Sequence, residues 1–113
     1  MHELGLMQNI VDTVQGYVRE NNVQQVVKVI LEIGKISGVV PEALEFCFSV
    51  CTKGTVLEGA QFEIQRVAAL GQCKKCGKTF DLLEDDFSCP DCEGENWDLV
   101  SGRELIIKGL EVI

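Results

Sequence analysis

A chain of 113 residues lies within the size range of one domain, so any second unit must be small and held by something other than a core of its own. With 46% hydrophobic residues it can bury roughly two-thirds of its unfolded surface, which excludes a disordered chain. A formal net charge of -8 argues against a partner gripped mainly through phosphates, because that attraction comes from clustered Lys and Arg.

Residues 4–20 place Leu4, Met7, Val11, Val14 and Val18, with Ile10 and Tyr17 beside them, at helical spacing with one buried face, and Asn21–Asn22 ends the run. Residues 26–33 alternate: Val27, Val29, Leu31 and Ile33 take one face of a half-buried strand, and Lys28, Ile30 and Glu32 the other. Pro41 suits a first helical turn. Leu44, Cys47, Phe48 and Cys51 then recur at three and four residues, and Gly54 offers a C-terminal stop. Residues 61–67 alternate as a second strand, and residues 103–113, with Leu105, Ile106, Ile107, Leu110 and Val112, form a third. If the first two strands are adjacent, the helix between them should be a right-handed parallel crossover.

Residues 71–101 differ in kind: apolar residues thin out, four cysteines appear, and eight acidic side chains face three lysines. The fold class expected is therefore α+β, two helices packed on a small three-stranded mixed sheet with an inserted zinc-ribbon module. Residues 1–70 with 102–113 make one domain and residues 71–101 the other.

Cys73-Lys-Lys-Cys76 and Cys89-Pro-Asp-Cys92 are two knuckles with twelve residues between Cys76 and Cys89. Two residues between ligands let both thiolates reach one ion from a single tight turn, and a glycine after each knuckle lets backbone amides approach the sulfurs. Phe80, Leu82, Leu83, Phe87, Trp97 and Leu99 cannot offset the chain entropy of such a segment by burial alone, whereas a structural zinc, at roughly 10 to 16 kcal/mol, can. Closed four-thiolate coordination leaves no open position, so this zinc is structural and not catalytic.

Other chemistries fit less well. Disulfides belong to exported chains, but residues 1–7 hold no Lys or Arg, and no apolar run reaches about 18 residues. Neither a signal peptide nor a membrane span is expected, and the chain is expected in the cytoplasm. Thioredoxin-like redox chemistry wants its Cys pair at a helix N-terminus after a strand, not in polar, turn-rich sequence. Iron binds four thiolates in the same geometry and is the nearest rival metal. Zinc ribbons often hold nucleic acid, but Glu84, Asp85, Asp86, Asp91, Glu93, Glu95 and Asp98 repel phosphate, so a protein partner with a basic face fits better. Cys47 and Cys51, one turn apart on the stripe of Leu44 and Phe48, read as small core residues rather than a second metal pair.

His2 is the single histidine. The Met1 amine, the His2 amide and the near ring nitrogen of His2 can close adjacent small chelate rings around one ion, and the amide or carboxylate of Glu3 can complete a square plane. Such nitrogen-rich tetragonal coordination suits nickel or divalent copper. No Ser-His-Asp, Cys-His or phosphate-loop arrangement is available, so no enzyme is expected.

The start Met1-His2-Glu3-Leu4, the helix-strand-helix-strand order, the knuckles Cys73/Cys76 and Cys89/Cys92 and the apolar final strand together resemble the hydrogenase nickel-insertion accessory protein family, HypA/HybF, over essentially the whole chain. The resemblance implies that His2 anchors Ni2+ as transient cargo with main-chain nitrogens of Met1 and Glu3, and that Cys73, Cys76, Cys89 and Cys92 hold Zn2+. It implies delivery to a nickel-iron hydrogenase large subunit together with a nickel-delivery GTPase of the same maturation pathway. Some relatives also serve urease and its accessory proteins; neither nucleic acid nor membrane is an expected partner.

Overall fold

The structure, a computed structural model, describes residues 3–113. These form α1 (Glu3–Glu20), β1 (Val26–Gly34), α2 (Pro41–Cys51), β2 (Gln61–Val67), β3 (Leu70–Cys73), β4 (Thr79–Asp81), β5 (Trp97–Ser101) and β6 (Leu105–Val112). They divide into two compact units. The first comprises residues up to Glu32 with Val39–Gln65 and Ile106–Ile113; the second comprises Ile33–Gly38 and Arg66–Leu105.

In the first unit β1 is the middle strand of the order β2-β1-β6. The Gln25–Ile113 backbone pair and the Glu32–Lys108 ion pair run β6 antiparallel to β1. The Val26–Val56 hydrogen bond and the Lys28–Glu63 ion pair run β2 in the direction of β1, with α2 as the crossover. The sheet is therefore mixed, as expected. Alternation along β1 buries Val29 and Leu31 on the face that meets the helices, while Lys28 and Glu32 spend their charges on neighbouring strands. Val27 departs from the expected pattern: Val26 is buried and Val27 exposed where the chain enters the sheet.

Met7, Ile10, Val11 and Val14 bury one stripe of α1, and Leu44, Cys47 and Phe48 one stripe of α2. The Phe48 ring stacks on Phe62 of β2 at 4.6 Å, tying helix to sheet. Leu4 and Tyr17, expected on the buried stripe, are exposed. The 18-residue α1 is longer than the 11-residue α2 it packs against. The stop of α2 comes at Thr52, whose amide and hydroxyl both return to the Phe48 carbonyl; Gly54 follows with φ +76°.

The second unit has its own antiparallel sheet, ordered β4-β3-β5. A bulge between Leu70 and Gly71 shifts the β3–β5 register, leaving Val100 opposite neither. Ala69, Cys73, Phe80, Leu82 and Cys89 form its buried cluster, with Ile36, Cys92 and Trp97 packed on it. Ile36 comes from far outside residues 71–101. Its amide bonds to the Gly102 carbonyl at 2.9 Å, next to a crossing where Gly34 meets Gly102 backbone to backbone. The last strand starts at Leu105, two residues after the expected Arg103.

Candidate metal centre

The two knuckles fold by the same local hydrogen bonds. In the first, Gly77 N–H donates to the Cys73 carbonyl and Cys73 N–H to that of Lys78; in the second, Glu93 N–H donates to Cys89 and Cys89 N–H to Gly94. The left-handed residue that closes each turn is Gly77, φ +79°, and Glu93, φ +58°. The glycine after each knuckle was expected to let backbone amides approach the sulfurs, and the Gly94 amide does reach Cys92. Gly94 also makes room: a Cβ there would lie 3.3 Å from Cys92 Sγ and 3.6 Å from Cys73 Sγ.

The turns bring Cys73, Cys76, Cys89 and Cys92 together with all four Sγ atoms within 4.8 Å of one another. Cys73–Cys92 and Cys76–Cys89 both stand at 3.5 Å. Tetrahedral coordination with zinc–sulfur bonds of about 2.3 Å puts sulfurs roughly 3.8 Å apart, so the spacing fits one ion and is too long for disulfides. The charge pattern points the same way. Backbone amides of Cys76 and Lys75 directed at the Cys73 sulfur lower its pKa to about 6. Cys92 has the Gly94 amide to pull it down, yet its hydrogen bond to Cys73, burial, and the Cys89 and Cys76 thiols push it up to about 12. Cys76 likewise receives the Lys78 amide but is raised by Cys89, burial and Cys73. Sulfurs this close resist sharing negative charge, and a divalent cation removes that resistance. The amides of Lys75, Lys78 and Gly94, which residue types alone do not mark, complete the shell around the sulfurs.

Among the described residues this is the one group of three or more His, Cys, Asp or Glu side chains that could hold a metal. Cys47 is buried on α2, and Cys51 is half-buried, its thiol pushed up by burial and then by Cys47 and Asp12. Cys47 shares the buried stripe of α2 with Leu44 and Phe48, which agrees with the packing role. Cys47→Ala should cost about 1 to 3 kcal/mol in a urea melt while metal content stays at the parent value. Loss of metal in that variant would move a site to α2.

Met1 and His2 lie outside the described residues. Glu3 opens α1, where its carboxylate accepts a hydrogen bond from the Val40 amide at 3.3 Å. No described helix is long and apolar enough to cross a membrane.

Comparison with known proteins agrees with this geometry. Residues 1–112 match the family model described as hydrogenase/urease nickel incorporation, metallochaperone, hypA. The hydrogenase maturation factor HypA of Trichormus variabilis is 46% identical over 112 residues, covering 99% of this chain and 96% of the relative. That of Geotalea uraniireducens is 46% identical with 99% of both chains covered. The solution structure of the nickel metallochaperone HypA from Helicobacter pylori shares the fold, with a TM-score of 0.69 at 19% identity over 100% of this chain and 98% of that one. A second HypA solution structure aligns over 100% of this chain and 97% of the other, with a TM-score of 0.74 at 21% identity. A match of this extent, joined to a four-cysteine cluster of metal-binding dimensions, makes this chain a member of the HypA family of nickel metallochaperones for hydrogenase maturation.

Proposed function

We propose that this chain binds Ni2+ at its first residues and delivers it to a nickel-iron hydrogenase large subunit, acting with a nickel-delivery GTPase in the cytoplasm and catalysing no reaction itself. The observation that carries this reading is the family match over residues 1–112, which takes in the start Met1-His2-Glu3. His2 supplies the imidazole, and Met1 and Glu3 supply main-chain nitrogens. Residues 1–70 with 102–113 are the nickel-binding domain. In residues 71–101, Cys73, Cys76, Cys89 and Cys92 hold a structural Zn2+ whose contribution is to fold the segment. The family model's description names urease beside hydrogenase, which supports urease maturation as a second destination.

A carrier must collect its ion and also surrender it, and a chain end lets ligand exchange begin at one edge. Protonation of the amine or of His2 weakens such a site, so acid favours release. The test is nickel titration at one pH of three proteins: native, His2→Ala, and a form with one extra residue before Met1. The extension turns the amine into an amide and moves the chelate ring out of register while keeping every side chain. Both altered proteins should lose measurable nickel binding with zinc content and circular dichroism unchanged. Nickel binding of native strength by the extended protein refutes the terminal site. Elemental analysis should find zinc at one per chain, and iron in its place would overturn the zinc assignment.

A further inference from the structure

We infer that the outer face of the four-cysteine unit, built on Phe87, Trp97 and Leu99, docks a protein segment whose apolar side chains are flanked by Lys and Arg. This inference stands apart from nickel binding and can fail or succeed without it.

The face is made by two elements of one compact unit. Phe87 lies 42% exposed in the turn after Leu82, its ring centroid 6.1 Å from that of Trp97. The Trp97 indole N–H donates to the Phe87 carbonyl at 3.0 Å, and the Phe87 amide donates to the Leu82 carbonyl at 2.7 Å, so the indole is tied to the backbone of the Phe87 turn. Alternation along β5 puts Leu99, 36% exposed, on the same side as Trp97. Leu83, in the same turn as Phe87, is exposed as well. Rigid, part-exposed aromatic rings of this kind are the usual anchors of protein interfaces.

Charge selects the occupant. Glu84, Asp85 and Asp86 directly precede Phe87, and Glu95 lies two residues before Trp97. Of the three lysines in residues 71–101, Lys74 pairs with Asp98 at 3.5 Å and Lys78 with Asp91 at 3.0 Å, Lys78 also feeling the charge of Asp85, so eight carboxylates still outnumber them. Carboxylates that adjoin these apolar residues along the chain disfavour nucleic acid, an anionic membrane and a second copy of a chain whose net charge is -8, and favour a basic, apolar segment.

Trp97 is the single tryptophan, so its emission reports on this face directly. The probe is the acetylated, amidated peptide Lys-Arg-Leu-Leu-Arg-Lys, added to zinc-loaded protein, with the acidic peptide Glu-Asp-Leu-Leu-Asp-Glu as counterpart. The basic peptide should shift Trp97 emission to saturation, less tightly as salt is raised, and the acidic one should not. Phe87→Gly keeps the left-handed backbone, φ +62°, and removes the ring; it should weaken binding about tenfold or more. Leu99→Gln gives a second reading at the exposed end of the face, with the same expected direction. Replacing Asp85 and Asp86 together with Asn should weaken binding and flatten its salt dependence. Zinc is measured in each protein, so only variants with the parent's zinc content are compared. An equal response to both peptides, no response, or parent-like binding by both the Phe87→Gly and Leu99→Gln proteins overturns the inference. So does Trp97 emission that changes with protein concentration alone, which would assign the face to self-association.

Discussion

Cys92→Ala should yield a protein without stoichiometric zinc in which residues 71–101 are cut rapidly by protease while the helical signal largely persists. The reason is the size of the second unit's core. Its buried cluster is Ala69, Cys73, Phe80, Leu82 and Cys89, so two of its members are themselves thiols. Ordering costs about 1 to 2 kcal/mol of backbone entropy per residue, and a core this small offsets only part of that over such a segment. Bound zinc contributes roughly 10 to 16 kcal/mol in structural sites, and three thiolates leave such a site incomplete. The first unit does not share the dependence: Met7, Val11, Val14, Leu44, Val29 and Leu31 are almost wholly buried without it. Cys73→Ala should behave alike. Zinc by elemental analysis and the rate of limited proteolysis check the prediction together; parent values in both would refute the four-cysteine site.

Gly34→Ala should be the most damaging single methyl addition in the chain, lowering stability by about 3 kcal/mol or more in a urea melt. A Cβ at position 34 would overlap the carbonyl oxygen and carbon of Gly102 and sit 2.6 Å from the Arg103 nitrogen. All three are backbone atoms, so no rotamer change relieves the overlap. They are also held in place: Gly34 N–H donates to Glu104 at 2.8 Å, Ile36 N–H to Gly102 at 2.9 Å, and Gly102 N–H to the Glu104 carboxylate at 2.7 Å. Gly102 is constrained in turn, with φ +127° and Ala69 Cα 2.8 Å from its own would-be Cβ. Gly5→Ala is the control. Nothing lies within 4 Å of that position on α1, and a helix gains about 0.5 to 1 kcal/mol from the exchange. A Gly34→Ala midpoint equal to the parent's would mean that the crossing is not close-packed in solution.

Periodicity and ligand spacing, both local properties, were enough to read the two helices, the three strands of the first sheet and the four-cysteine cluster from the sequence. A helical stripe such as Met7, Val11 and Val14, or a Cys pair two residues apart, carries its geometry within one or two turns of chain. The membership of the chain in its family was also legible at that level, through the joint occurrence of the start Met1-His2-Glu3 and the two knuckles. Tertiary structure decided what depends on partners distant in sequence. Leu4 is exposed although it lies on the apolar stripe of α1, and Glu93 takes the left-handed turn while Gly94 sits beside the sulfurs. Ile36 joins the core of the second unit, and Gly34 and Gly102 are glycines because two backbone segments far apart in the chain pass through the same space. Burial and close approach of this kind are set by which surfaces meet, and the pattern of any one segment does not contain that information.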